Sequence, residues 1–139
     1  MIAYQVNLDY ERQTGEDNPG RVKESYLVEA ALPSEAETIV LKEVAPFIFG
    51  DCQVQKIQKR QFFDVFHTEG DCTWFEAKVE IIVVDGDKET RKPVNMLVSG
   101  ETIHDALSWL KIQLRSYDCV ILAIKQSPIL ELLKAEPAE

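Results

Sequence analysis

The sequence predicts an α+β fold made by tandem duplication of a ββαβ unit. The two copies are related by a pseudo-twofold axis, with an antiparallel or mixed sheet and two helices packed on it. Three observations lead there. Segments running from Tyr4 to Phe66 and from Phe75 to Leu133 correspond in order, about 70 residues apart. Each opens on an alternating apolar–polar run, as a half-buried strand requires. Each then carries one stretch with a capping signal and apolar residues at helical spacing. The repeats are expected at 1–70 and 71–139, joined in one compact pseudo-symmetric domain.

The correspondence runs element by element. Tyr4-Gln5-Val6-Asn7-Leu8-Asp9-Tyr10 matches Phe75-Glu76-Ala77-Lys78-Val79-Glu80-Ile81, and Tyr26-Leu27-Val28 matches Met96-Leu97-Val98. Glu35-Ala36 corresponds to Asp105-Ala106, Val40 to Leu110 and Val44 to Leu114. Asp51-Cys52-Gln53-Val54 aligns with Asp118-Cys119-Val120-Ile121, and the copies close on Phe62–Phe66 and Ile129–Leu133. One such pair could arise by chance, but five in the same order do not.

The first strands place Val6, Leu8 and Tyr10, or Ala77, Val79 and Ile81, on one face. A long polar loop, Gln13–Gly20, links the first hairpin. In the second copy it shortens to Asp85-Gly86-Asp87-Lys88, a tight-turn signal that lacks the later ligands of a calcium loop. Helix one is expected to start at a capping box in which Ser34 accepts from the Glu37 amide, and to stop near Ala45 before Pro46. Helix two is expected to be capped by Thr102, with Asp105 in its first turn and a core stripe of Ile103, Ala106, Leu107, Leu110 and Leu114. Of the third strands, Cys119–Ile124 is apolar on both faces and reads as a central, doubly buried strand in a combined sheet with both helices on one face. Its counterpart Gln53–Arg60 is polar on one side and reads as an edge.

Composition narrows the function classes. A net charge of −9, shared almost evenly by the two halves, opposes phosphate binding. No apolar run reaches the roughly 20 residues of a membrane helix. Without a secretory signal, and with three widely spaced cysteines that suit reduced thiols, the chain is expected in the cytoplasm.

Two surfaces stand out. On helix two, Trp109 and Ile112 fall on the side away from the core stripe, with Lys111 and Arg115 as a polar rim; either the pair packs against the other copy or a neighbouring loop, or this face is a partner or oligomer contact. If it closes a homodimer, a charged residue at Trp109 is expected to monomerise the chain without unfolding it. On the third strand of the first copy, Lys56, Lys59 and Arg60 lie next to Phe62 and Phe63. That pattern gives either a phosphate-contacting strip or lysines guarding an edge while the phenylalanines join the core.

No catalytic residues stand out. His67 and His104 show no sign of meeting, and Cys52 and Cys119 recur at equivalent strand positions, which suggests packing. Cys72 lacks a placed base. No metal-ligand spacing and no phosphate-cradling glycine loop is found, so neither cofactor nor metal is expected and the chain is not expected to be an enzyme.

Tyr26-Leu27-Val28-Glu29-Ala30, Ser34-Glu35-Ala36-Glu37 and Trp74-Phe75-Glu76-Ala77-Lys78-Val79 together resemble a family of short proteins of unknown function from Bacteroidetes genomes and their phages and mobile elements. The likeness spans nearly the whole chain, and the long Gln13–Gly20 loop departs from it. The resemblance implies an intracellular accessory protein of phage or mobile-element origin and carries no functional residues. The leading expectation is a non-enzymatic protein that binds a partner protein, a second copy of the chain included. The alternative is a nucleic-acid or nucleotide binder using the basic third strand of the first repeat.

Overall fold

The computed structural model describes residues 2–12, 20–67 and 73–134. Most of the Gln13–Gly20 loop, Cys72 and the tail after Lys134 lie outside them. The elements are β1 (Ile2–Arg12), β2 (Gly20–Glu29), α1 (Pro33–Val44), a 3-10 turn (Ala45–Phe47), β3 (Ile48–Gln61), β4 (Asp64–Phe66), β5 (Thr73–Asp85), β6 (Lys88–Gly100), α2 (Ile103–Gln113), β7 (Cys119–Gln126) and β8 (Ile129–Lys134). The class is α+β, with two mixed four-stranded sheets and one helix on each.

The chain divides into two compact units, and neither is a simple half of the sequence. One gathers Ile2–Arg60 with the segment from Pro128 onward, and the other holds Gln61–Ser127. The first contains the sheet β3-β1-β2-β8 and the second the sheet β4-β6-β5-β7. Both are centred on an antiparallel hairpin with the third strand beside the first. A parallel strand from the other half of the sequence lies beside the second: β8 on β2, and β4 on β6. The hairpin registers coincide. Tyr4 faces Val28 as Phe75 faces Val98, and Val6 faces Tyr26 as Ala77 faces Met96.

In the first unit α1 packs on β1, β2 and β8. Ala36, Val40 and Val44, one turn apart, are buried against Val6, Leu8, Tyr10, Tyr26 and Val28. In the second, Ala106, Leu110 and Leu114 of α2 repeat that spacing against Phe75, Ala77, Val79, Met96 and Val98. Thr102 caps α2 as expected, its hydroxyl accepting from the Asp105 amide at 3.1 Å. At α1 the capping box does not form. The N-cap is Leu32, without a side-chain cap bond, because Pro33 has the φ that suits the first helical position. Ser34 thus lies inside the helix, its carbonyl accepting from Thr38 Oγ1 at 3.0 Å.

Other expectations are corrected by the pairing. The sheets do not combine, and each carries its own helix. β7 is an edge strand, with Val120 and Leu122 43% and 49% exposed. An apolar run marks a strand but cannot say whether a neighbour lies on each side of it. β3 is an edge, as its lysines suggested. Of the closing phenylalanines, Phe62 is fully buried, while Phe63 is exposed and meets Tyr117 edge-on at 5.9 Å.

The β5–β6 hairpin turns at Gly86, whose positive φ stands alone in that turn, as a type II′ geometry requires. Pro93 lies opposite Glu80, where β4 does not reach, so its missing N–H leaves the ladder intact.

Gly100 ends β6 directly beneath α2. A Cβ there would come within 2.7 Å of the Ala106 nitrogen and 3.0 Å of its Cα. Both are backbone atoms, so the helix would have to shift. Gly100→Ala is therefore expected to lower stability by about 1–3 kcal/mol, read as a fall in the denaturant midpoint at unchanged slope.

Candidate functional site

The surface anticipated on α2 is only partly formed. Trp109 is half-buried and packs against the core of its unit, as Phe66, Ile81, Val94 and Ile121 also do. Its indole nitrogen is buried and has no hydrogen-bond partner among the described residues. Ile112 is exposed, as are Lys111 and Arg115. The structure thus keeps the rim at the surface and takes the aromatic anchor into the core. A charge at Trp109 would unseat a packed side chain.

The basic cluster on β3 is likewise divided. Lys56 and Lys59 are exposed. Arg60 turns onto its own sheet, where Nη1 donates to Gln5 Oε1 at 2.7 Å. Beside it Ser25 Oγ donates to Asn7 Oδ1 at 2.6 Å, so this face of the first sheet is laced with polar contacts. The strip retains two lysines on an open edge.

Sequence reading missed a polar cluster on the helix-bearing face of the first sheet. Tyr10, Arg12 and Tyr26 converge on Glu24. Tyr10 Oη donates to Glu24 Oε1 at 2.5 Å and Tyr26 Oη to the same oxygen at 3.0 Å. Arg12 Nη1 donates to Glu24 Oε2 at 2.8 Å, and its guanidinium lies 4.5 Å above the Phe47 ring. Burial, followed by the hydrogen bond and charge of Glu24, pushes Tyr10 up to about 12. Tyr26 is raised too, by burial first, then by the charge of Glu24 and its hydrogen bond, with Tyr10 adding to the rise. Burial works against the Arg12 charge, yet Tyr10 and Glu24 hold its pKa above the ordinary value. The register shows how the cluster could have been found. At the matching positions the second sheet carries Ile81, Val83, Val94 and Met96. Four polar residues in one sheet where the other has four apolar ones is a signal that element-by-element matching passes over.

Both described cysteines are half-buried and reduced. Cys52 is raised by burial and the nearby Asp9 carboxylate, and Cys119 by burial and Asp118. Each is thereby held as the thiol, the poorer nucleophile. His67 stacks on Trp74 at 5.0 Å, an aromatic packing contact. Among the described residues there is no group of three or more His, Cys, Asp or Glu placed to hold a metal, and no helix long and apolar enough to cross a membrane.

The remaining surface of note is β7. Cys119 to Ile124 contains no charged residue, and beyond β5 the sheet stops there. Val120 and Leu122 stand exposed, and among the described residues no strand pairs with the outer edge of β7. The other long edge, β3, is protected by Lys56 and Lys59. The arrangement among the described residues is that of a two-sheet α+β protein with a largely apolar strand at one sheet edge.

The model of a domain of unknown function (DUF4494) matches residues 3–135, and the chain belongs to that family. No curated protein and no solved structure matches it.

The Glu24 cluster makes a signed pH prediction. Tyr10 has a folded pKa of about 12 against an ordinary 10.0. Folding therefore favours the neutral phenol. The stability this contributes is fully present below about pH 10 and is lost as pH rises towards 12. Ultraviolet titration should show tyrosines ionising late in the native protein, and Glu24→Gln should bring that ionisation to lower pH.

Proposed function

We propose that this chain is a non-enzymatic cytoplasmic accessory protein that binds a partner protein by adding a strand to the β7 edge. The carrying observation is the edge strand itself, uncharged from Cys119 to Ile124 and exposed at Val120 and Leu122. Backbone groups along it can supply affinity, while Val120 and Leu122 supply apolar contact. Lys111 and Ile112, on the helix that packs beside β7, and Arg115 in the turn after it extend the contact surface with an apolar centre and basic rim.

The architecture behind this edge is read as a tandem duplication of a ββαβ unit with pseudo-twofold symmetry. Coincident hairpin registers, the same order of strand roles in both sheets and the matched Ala36–Val40–Val44 and Ala106–Leu110–Leu114 spacings support it. The closing strands, β4 and β8, are then exchanged between copies. The resemblance to proteins of Bacteroidetes, their phages and mobile elements supplies the cellular setting of this reading.

Capture from cell lysate with the wild type and with Leu122→Lys tests it, followed by hydrogen–deuterium exchange on the captured complex. Protection of the Val120–Ile124 amides in the complex, and loss of capture by the variant, are expected. Equal capture by both, or protection confined to other segments, refutes it.

The nucleic-acid reading keeps the two exposed lysines of β3 and loses Arg60 to Gln5. Salt separates the two readings. Phosphate binding by several cations weakens steeply between low and physiological salt, whereas apolar strand addition barely responds. Fluorescence anisotropy with a labelled single-stranded oligonucleotide is expected to show no such salt-dependent binding, and a steep dependence lost in Lys56→Glu/Lys59→Glu would favour the alternative.

A further inference from the structure

The β7 edge also carries a pattern that selects its occupant. We propose that β7 pairs antiparallel with β7 of a second copy of this chain, across a twofold axis passing between Ile121 and Leu122. This rests on the strand-addition reading above and names its partner.

The first support is the contrast between edges. β4 is three residues long, β8 carries Glu131 and Lys134, and β3 carries Lys56 and Lys59. β7 (Cys119–Gln126) has one charged residue, Lys125 near its end, and its first six residues are uncharged. Of these edges it offers the longest uncharged stretch for pairing.

The second is charge. Asp118 immediately precedes the apolar run and Lys125 immediately follows it, both exposed. Antiparallel self-pairing about the stated axis sets Asp118 of each copy against Lys125 of the other, twice per dimer. Val120 then meets Ala123, and Cys119 meets Ile124. A parallel arrangement would lay Asp118 on Asp118 and Lys125 on Lys125. Opposite charges directly across a ladder stabilise and like charges destabilise. A patch complementary to itself under twofold rotation is what an isologous contact requires.

The third is the bulge. β7 faces β5 with Val120 opposite Glu80, then Ala123 opposite Lys78 and Lys125 opposite Glu76, the register shifting between Lys78 and Val79. Successive even positions of β5 share one face, so Val120, Ala123 and Lys125 share it too. Asp118, two residues before Val120, falls on the same side. In an unbulged strand Asp118 and Lys125 would project to opposite faces and could not meet across the axis. The extra residue puts both charges on one face.

The test uses the full chain in sedimentation velocity and native mass spectrometry over a micromolar concentration series. Asp118→Lys, Lys125→Asp and the double exchange all alter exposed positions, and circular dichroism confirms that each variant is folded. The wild type is expected to be a dimer. Each single reversal sets like charges opposite each other twice, raising the dimer Kd by about tenfold or more, and the double exchange restores it. A dimer indifferent to the single reversals overturns the proposal, as does a wild type that stays monomeric throughout. If the wild type is monomeric while Leu122→Lys still abolishes capture of another protein, the second-copy assignment falls and strand addition stands. If capture is also unaffected, both fall.

Discussion

Parallel pairing of each closing strand with the second strand of the opposite hairpin is the constraint on which the rest depends. β8 lies on β2 and β4 on β6, so neither unit is assembled from a continuous stretch of chain. The chain passes between the sheets at Phe62–Phe63 and again at Ser127–Pro128. These passages are tied into the second unit by backbone bonds, Phe63 N to Asn95 O and Ser127 N to Trp74 O, both 2.8 Å. Non-local pairing of this kind must overcome loop-closure entropy before it stabilises anything. Once formed, it occupies the sheet edge beside the second strand and leaves the edge beside the third strand as the free one.

That assignment of edges places the chemistry. In the first sheet the free edge is β3, polar and guarded by lysines. In the second it is β7, apolar from Cys119 to Ile124 with Lys125 near its end. The sheets therefore share a layout and differ in what they offer to another molecule. The face beneath α1 differs in a comparable way, carrying the Glu24 cluster where the second sheet has Ile81, Val83, Val94 and Met96. A carboxylate in such a position is tolerated because two phenols and a guanidinium satisfy it. Two sheets with the same plan thus divide their roles, one holding a buried polar network and the other an edge suited to pairing.

The acidic net charge and this edge act at different ranges. A charge of −9 sets a repulsive field that salt screens over about 10 Å. Contact between strands is decided at a few ångströms, by backbone groups, exposed valine and leucine and the charges that flank them. A protein can therefore be soluble through its field and selective through one strand. In β7 a bulge brings Asp118 and Lys125 to one face, and the proposed self-pairing rests on it.

Much of the local structure was written in the sequence. Alternation marked β1 and β5, Asp-Gly marked the turn at Gly86, Thr102 capped α2, and the i, i+4 apolar spacings marked both helix cores. These signals are local, arising from dihedral preferences and from which side of a strand or helix a residue occupies. Membership of a sheet is not local. The sequence showed that Cys119–Ile124 is a strand, but only the tertiary structure decided that it lies at an edge, that Phe62–Phe66 closes onto β6, and that Trp109 turns into the core. The physical reason is that periodicity reports faces along one segment. The number of neighbours a strand has, and how much of a helix they cover, is set by pairing between residues far apart in the chain.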